Sequence, residues 1–350
     1  MAPPPPSSLV IRRPDDWHLH LRDGGLLGAV LPFTARAFAR AVVMPNLTPP
    51  VVTAAQARDY ARRIVAALPR GADFRPLMTC YLTDATDPDD LAAGFRDGAW
   101  VAAKLYPAHA TTNSAAGVTD VRRIARVLER MEAIGMPLLV HGEAIAPEID
   151  VFDREAAFID RVFQPMLRDF PALRAVFEHV TTLEAVAFVR AHAPRVGATI
   201  TPHHLVINRN AMFQGGIRPH LYCLPVAKRE KHRLALRRAA TSGEACFFLG
   251  TDSAPHPRAR KESDCGCAGV FNAPGAVETY TQVFEDEGAL DRLEAFASLN
   301  GPAFYGLPVN ETRLTLVRAA NEIPVAIPTG DGDEVRVFQG GETLRWRIKD

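Results

Sequence analysis

The 350-residue sequence lacks an apolar run long enough to cross a membrane, and it lacks an excess of charge of either sign. A membrane-spanning helix needs about 20 consecutive, mostly apolar residues. The chain balances 40 lysines and arginines against 40 aspartates and glutamates. Nothing in this composition favours nucleic acid or an acidic membrane surface. We therefore predict a protein with no membrane partner and no nucleic-acid partner.

Cysteine is also scarce, with five in the chain. Cys80, Cys223 and Cys246 lie in strand-like runs, and reduced thiols in a cytoplasmic protein are the simplest account of them. The segment from Met1 to Ser8 is rich in proline and lacks the basic and apolar regions of a signal peptide. We expect a flexible arm over residues 1–9 and a cytoplasmic location.

Strand and helix signals alternate along most of the chain. Capping boxes at Thr53–Gln56 and Thr181–Glu184 and an apolar stripe from Val118 to Ile134 predict helices. Short apolar runs predict eight strands, at residues 17–22, 41–46, 75–82, 100–107, 137–143, 173–180, 196–205 and 245–253. Eight strands with intervening helices favour an α/β fold, a (β/α)8 TIM barrel, over an open sheet.

The barrel is expected to occupy residues 10–306. A C-terminal extension over residues 307–350, with short strand-like pieces at 335–338 and 343–348, is expected to pack on it, so that the chain forms one domain overall. The connection from Ile207 to Pro225 is long and rich in glycine and proline. Loops of that length usually serve function or cover a site.

Candidate metal ligands lie at or near the ends of the predicted strands. Because the carboxyl ends of parallel strands converge on one face of a barrel, these side chains should meet there. Four imidazoles and one carboxylate suit zinc, and catalytic zinc sites leave a position for water. The candidate ligands are His18, His20, Lys104, His141, His179 and Asp252.

Lys104 differs from the other candidates because it is a cation. It alternates with Ala102 and Tyr106 and should point into the barrel, where an unpaired ammonium is costly. A lysine that extends its amine to solvent is one interpretation. A lysine carboxylated by CO2 is the other, since the carbamate is anionic and its two oxygens can bridge two metal ions.

Several motifs together resemble the dihydroorotases of the amidohydrolase superfamily, in the class of the bacterial pyrimidine-pathway enzyme. The histidine pair at a strand end is shared across the superfamily, whereas the other segments are more specific. The matching segments are Asp16-Trp-His-Leu-His-Leu-Arg-Asp23, Met44-Pro-Asn-Leu-Thr48, Lys104-Leu-Tyr-Pro107, Thr251-Asp-Ser-Ala-Pro-His256 and Lys261-Glu-Ser-Asp-Cys-Gly-Cys-Ala-Gly269. We interpret the lone pair Cys265 and Cys267 as structural.

The resemblance implies two zinc ions per chain and a Lys104 that CO2 has converted to N6-carboxylysine. His18, His20, Lys104 and Asp252 would surround one ion, and Lys104, His141 and His179 the other. The implied substrate contacts, besides His141, are the side chains of Arg22, Asn46 and His256 and the backbone at Leu224 and Ala268. Thr111 and Thr112 would belong to a mobile loop, and Asp252 would transfer the catalytic proton.

The implied activity is the reversible interconversion of N-carbamoyl-L-aspartate and L-dihydroorotate in de novo pyrimidine biosynthesis, by a homodimer. Two alternatives stay open. A hydantoinase or dihydropyrimidinase would share the metal ligands but would not need Arg22, Asn46 and His256 to bind a carboxylate. A non-catalytic barrel that serves as an assembly scaffold would usually have lost some of the ligands.

Overall fold

A computed structural model describes residues 6–330 and 332–349. Its strands, β1 to β13, are Ser8–Arg12, Asp15–Leu19, Arg40–Val43, Arg75–Tyr81, Ala102–Leu105, Leu138–Val140, Ala175–Phe177, Val196–Ile200, Phe247–Leu249, Arg313–Glu322, Ala326–Pro328, Glu334–Arg336 and Thr343–Ile348. Its α-helices, α1 to α12, are Gly24–Ala37, Ala54–Ala66, Pro88–Arg96, Ala125–Ile134, Arg154–Phe158, Gln164–Asp169, Leu183–His192, Pro202–Val206, Glu230–Ala240, Arg258–Lys261, Ala276–Asp286 and Asn300–Tyr305.

Strands β2 to β9 pair in chain order and in parallel to form an eight-stranded sheet. The sheet closes where the first strand meets the chain after the last one. Leu19 forms a parallel bridge with Ser253, and the amide of Asp252 donates to the carbonyl of His18 at 2.7 Å. The predicted (β/α)8 barrel is therefore confirmed. Within the described ranges, no helix is both long and apolar enough to cross a bilayer.

An apolar layer fills the lower part of the barrel. Because every second residue of a strand points to the same side, Lys104, His141 and Glu178 lie one layer nearer the mouth. All three are fully or almost fully buried. The barrel interior thus places these polar side chains directly above a buried apolar layer, here called the floor. The buried residues of that floor are Trp17, Val42, Met44, Leu77, Ala102, Leu139, Val176, Phe248 and Phe304.

The helix signals are largely confirmed, with two differences. Thr53 and Gln56 form both bonds of the predicted capping box at the start of α2. In the second predicted box the cap of α7 is Thr182, which accepts from the amide of Ala185, and the hydroxyls of Thr181 and Thr182 both donate to the buried carboxylate of Glu155. Val118 does not begin a helix but pairs with Pro107 as a β-bridge. The amphipathic helix begins only at the 3₁₀ turn Val121–Ile124, which leads into α4.

The seventh barrel strand is shorter than its apolar run predicted. Strand β8 ends at Ile200, and the rest of the run, predicted as strand to residue 205, forms helix α8. Thr201 starts that helix by accepting a hydrogen bond from the amide of His204, and Pro202 occupies its first turn. A capping threonine followed by proline is a helix-start signal that overrides the apolar run.

The two chain ends share a second, antiparallel sheet in the order β1-β10-β13. The arm was predicted over residues 1–9, but Ser8 and Leu9 already belong to β1, and residues 1–5 lie outside the described part of the chain. Strand β10 was not predicted as a strand at all. Leu316 and Trp346 from this sheet are fully buried and join the main core, so the C-terminal segment packs on the barrel. The division at residue 306 stays a prediction.

Candidate metal centre and active site

The six predicted ligands lie together at the carboxyl ends of the barrel strands. His18 belongs to β2 and Lys104 to β5, His20 and His141 directly follow β2 and β6, and His179 and Asp252 lie in the short segments after β7 and β9. Asp252 Oδ1 lies 3.3 Å from His18 Nε2 and 3.2 Å from His20 Nε2. The ring of His179 lies 5.0 Å from that of His18 and 4.9 Å from that of His141, measured between centroids. One buried cluster therefore joins the ends of β2, β5, β6, β7 and β9.

This cluster has the donor atoms and the spacing of a metal site. One ligand atom each from His18, His179 and Asp252 can be chosen so that all three lie within 4.8 Å of one another. All three residues are buried. Imidazole nitrogens and a carboxylate at this spacing are typical of divalent transition-metal sites.

Hydrogen bonds on the outer side of three histidines fix which ring nitrogen faces the cluster. The Nδ1 of His18 donates to Glu178 at 2.7 Å, and the Nε2 of His141 donates to Glu143 at 2.8 Å. A carboxylate only accepts, so the facing nitrogen must carry the proton and the other nitrogen stays free for a metal. His20 uses its Nδ1 in the same way toward the side-chain oxygen of Asn46, at 2.8 Å.

Sequence reasoning missed Glu143 and Glu178 as supporting residues. A signal was present in both cases: Glu143 follows His141 by two residues, and Glu178 directly precedes His179. Glu178 also accepts from the hydroxyl of Thr199 at 2.6 Å, and that hydroxyl accepts from the backbone amide of His179 at 2.7 Å. One hydrogen-bond network, through Glu178 and Thr199, thus holds both His18 and His179.

Lys104 points into the barrel, as its alternation predicted, and not toward solvent. Its side chain is fully buried, and its Nζ has no hydrogen-bond partner among the described residues. The nearest aromatic face is that of Tyr106, with Nζ 5.0 Å from the ring centroid. Burial lowers the pKa of Lys104 to about 8, against the opposing influence of Glu178 and Asp252.

The electrostatics of the cluster favour an ionised Asp252 and neutral His20 and His179, whereas, against the opposing effect of burial, the carboxylate of Glu178 raises the pKa of His18. Burial by itself would raise the pKa of Asp252, but hydrogen bonds with His18 and His20 hold that pKa well below its usual value. Burial lowers the pKa of His20 to about 4 and that of His179 well below its usual value. Neutral imidazole is the form of histidine that binds metal.

Three site residues have backbone conformations that side-chain-bearing residues rarely adopt. Arg22, His179 and Asp252 have φ values of +58°, +42° and +43°. Left-handed backbone at residues other than glycine costs on the order of 1–3 kcal/mol and is concentrated at functional sites. Each of the three lies within three residues of a strand end, where the chain leaves the extended conformation of the strand.

The rim of the cluster carries the predicted carboxylate-binding residues. Arg22 donates through Nε to the carbonyl of Pro255 at 3.1 Å, and its Nη2 lies 3.0 Å from Nε2 of His256. That histidine nitrogen is also 3.1 Å from the carbonyl of Ala268. Burial and the nearby charge of Arg22 lower the pKa of His256 to about 2, so the imidazole is neutral. Arg22 and His256 are both half-buried, and Arg22 lines the cavity.

The predicted mobile loop lies over this cavity. Thr112 donates through its hydroxyl to the carbonyl of Ala268 at 3.2 Å and accepts from Nδ2 of Asn46 at 3.1 Å. Asn46 thus joins His20 to the loop, and its amide keeps one further proton for a ligand. The pairing of Pro107 with Val118 closes the base of the loop. The cavity below is lined by His18, His20, Arg22, Asn46, Tyr106, Thr111, Thr112, His141, His179, Leu224, Asp252, Ala254, Ala268 and Gly269.

A second group of possible ligand atoms lies beside the site, at His203, His204 and Cys223. Its polar atoms mostly bind protein groups. His204 contacts the hydroxyl of Thr201 at 2.8 Å and the carbonyl of Pro225 at 3.1 Å, and the thiol of Cys223 donates to that same carbonyl at 3.3 Å. This group therefore anchors the end of the long connection that brings Leu224 into the cavity.

Comparison with known proteins agrees with this geometry. Residues 11–324 match the amidohydrolase family model, so the chain belongs to the amidohydrolase family. A protein named dihydroorotase from Synechococcus sp. (strain RCC307) is 62% identical over 99% of both chains. The crystal structure of a dihydroorotase in complex with 5-fluoroorotic acid, from Saccharomyces cerevisiae, has a TM-score of 0.92 and 30% identity and covers 98% of this chain and 99% of its own.

A crystal structure of dihydroorotase from Campylobacter jejuni has a TM-score of 0.90 and 34% identity, and covers 98% of both chains. Full-length identity of this order places the chain among the dihydroorotases of its family. The fold and family expected from the sequence motifs are both confirmed. The individual metal ligands and substrate contacts stay predictions, which the geometry above supports.

Proposed function

We propose that the protein is a zinc-dependent dihydroorotase, which interconverts N-carbamoyl-L-aspartate and L-dihydroorotate in pyrimidine biosynthesis. The position of Arg22 in the lining of the cavity at the buried histidine–aspartate cluster, with His256 beside it, carries the proposal. Dihydroorotate is a cyclic amide with one ring carboxylate. Its carboxylate can pair with the guanidinium of Arg22 while its amide carbonyl lies over the cluster.

We propose two zinc ions per chain and a carboxylated Lys104. The residues present fit two zinc ions and a carboxylated lysine, because the Nζ of Lys104 and the Nδ1 of His179 are buried without a partner in the described structure. A carbamate would supply the anion that two divalent cations require, and CO2 is its source. His18, His20, Lys104 and Asp252 would hold one ion, and Lys104, His141 and His179 the other.

Zinc, when bound, would polarise the amide carbonyl as a Lewis acid and lower the pKa of water. Asp252 performs the proton transfer. During ring opening its carboxylate takes a proton from the attacking water, whose oxygen forms a bond to the carbonyl carbon. The bond between that carbon and the ring nitrogen breaks, and Asp252 returns the proton to the nitrogen. Ring closure reverses these steps, and the closed loop excludes bulk water from them.

The two alternative functions are less well supported. A hydantoinase acts on rings without this carboxylate, so the half-buried arginine–histidine pair would have no ligand to bind. A scaffold barrel has no need for the carboxylates Glu143 and Glu178, which fix two histidine tautomers from behind. The supporting network is intact along with all six candidate ligands.

We expect the purified protein to open the ring of L-dihydroorotate and to lose that activity when a chelator removes its metal. Added zinc should restore turnover, since the protein ligands remain. The ring-opening rate, followed by ultraviolet absorbance, and the zinc content of the same sample test this directly. Hydantoin and dihydrouracil serve as comparison substrates. Faster turnover of hydantoin or dihydrouracil than of dihydroorotate would favour the hydantoinase or dihydropyrimidinase hypothesis. No turnover of any of the three substrates would favour a non-catalytic scaffold.

Replacing Arg22 by methionine should weaken substrate binding far more than metal binding. Loss of a hydrogen-bonded partner to a buried charge costs on the order of 2–5 kcal/mol, which should raise KM for dihydroorotate at least about tenfold. The matched control is Arg62→Met, which removes an exposed arginine of α2. An Arg22→Met protein with wild-type KM and kcat would place the substrate carboxylate elsewhere.

A further inference from the structure

We infer that Lys261 is a positioning residue for substrate binding, because its ammonium joins two backbone segments that form one wall of the cavity. One segment, residues 222–225, carries Leu224, and the other, residues 267–269, carries Ala268. Leu224 and Ala268 both line the cavity. The inference rests on the proposed function, since the ligand whose binding it concerns is dihydroorotate.

The contacts of Lys261 account for every proton of its ammonium group. The side chain is 3% exposed, and Nζ donates to the carbonyls of Tyr222 at 2.8 Å, Cys267 at 2.8 Å and Gly269 at 2.9 Å. An ammonium has three donors and no acceptor, so three carbonyls satisfy it completely. Without them, burial of this charge would be strongly unfavourable. The lysine and the two segments therefore hold each other in place.

The segments it joins are packed too closely for side chains to replace this contact. The amide of Gly269 donates to the carbonyl of Tyr222 at 3.0 Å. Gly269 has φ +153°, and a Cβ there would lie 2.6 Å from the carbonyl oxygen of Ala254. Backbone thus meets backbone at this point of the wall, next to a small buried apolar cluster of Cys223, Val270 and Phe338.

Movement of this wall would reach the substrate-binding residues directly. Ala268 lies between Cys267 and Gly269, whose carbonyls both accept from Lys261. The carbonyl of Ala268 accepts from the hydroxyl of Thr112 at 3.2 Å and lies 3.1 Å from Nε2 of His256. The lysine therefore fixes the surface on which the loop closes and against which the carboxylate-binding histidine rests, without touching the candidate metal ligands.

The substitution Lys261→Met tests the inference, because it keeps the length of the side chain and removes its three donors. Misplacement of a binding group by about 1 Å can cost up to about a hundredfold, so we expect KM for dihydroorotate to rise about tenfold or more. Zinc content should stay at the wild-type value, and kcat should change less than KM. Hydrogen exchange of the backbone amides in residues 221–226 and 262–270 should become faster, while that of the barrel strands stays unchanged.

Val189→Ala is the control for a general loss of stability. Val189 is fully buried in α7, on the outer side of the barrel, so its truncation should lower the melting temperature and leave KM unchanged. Lys261→Gln, which keeps part of the donor capacity, should show a smaller rise in KM and covers the case in which Lys261→Met does not fold.

Each outcome bears on a separate claim. Unchanged exchange in both segments, or faster exchange with an unchanged KM, would overturn the role of Lys261. A rise in KM that Val189→Ala reproduces at equal loss of stability would overturn it too. A wild-type protein that does not open dihydroorotate would instead refute the proposed function, and the exchange comparison would still test whether Lys261 joins the two segments.

Discussion

Replacing Lys104 by alanine is expected to remove bound zinc together with activity. The Nζ of Lys104 is buried without a partner at the level of the candidate ligands, so a carbamate formed there would serve both metal ions. Metal supplies several kcal/mol of transition-state stabilisation, so turnover should fall about a hundredfold or more. Zinc per chain, measured on the desalted protein, should fall below the wild-type value.

The control for loss of a buried lysine is Lys228→Ala. Lys228 is 4% exposed and donates to the carbonyl of Val226 outside the cluster, so this variant should keep its zinc. A short carboxylate such as propionate, added to Lys104→Ala, should restore part of both zinc binding and turnover by entering the space of the carbamate. If Lys104→Ala retained both metals and full turnover with no added carboxylate, the carbamate assignment would be wrong.

The barrel was predictable because its strands are short, buried and separated by helix signals. The candidate ligands were predictable for the same reason, since each lies where an apolar run ends. The unpredicted strands β1 and β10 have half-exposed patterns, with Val10 55% exposed, and their pairing joins opposite ends of the chain. No local pattern in the sequence contains that pairing, which only the packing of the two ends on the barrel determines.

The limits at the site have a similar physical origin. Residue type and strand position identified Asp252 and Arg22, but their left-handed backbone depends on how the strand ends meet. The contacts of Lys261 were not predictable, because its acceptors are backbone carbonyls and any residue type supplies those. Glu143 and Glu178 are close in sequence to His141 and His179. The sequence does not indicate which imidazole each carboxylate contacts, and Glu178 in fact binds His18.

Asp252→Asn is expected to be nearly inactive in both directions while it still binds zinc. General acid–base catalysis typically contributes about 10²–10⁴-fold, and an amide cannot accept and return the proton. The four candidate histidine ligands are untouched by the substitution. Asp169→Asn, which changes an exposed acid far from the cavity, should retain the wild-type rate.

The pH dependence of the wild-type enzyme should differ between the two directions for the same reason. Carbamoyl aspartate carries two carboxylates and dihydroorotate one, so ring closure consumes a proton. Against the effect of burial, hydrogen bonds with His18 and His20 hold the pKa of Asp252 well below its usual value, so Asp252 is already ionised for ring opening. The rise of the opening rate with pH would come from deprotonation of the attacking water, whose pKa bound zinc would lower to about 7. Ring closure needs Asp252 in its protonated form, so that it can help to expel water. The rate of opening should therefore rise with pH and that of closure should fall. Parallel profiles, or turnover by zinc-loaded Asp252→Asn within about tenfold of the wild type, would remove Asp252 from the proton transfer.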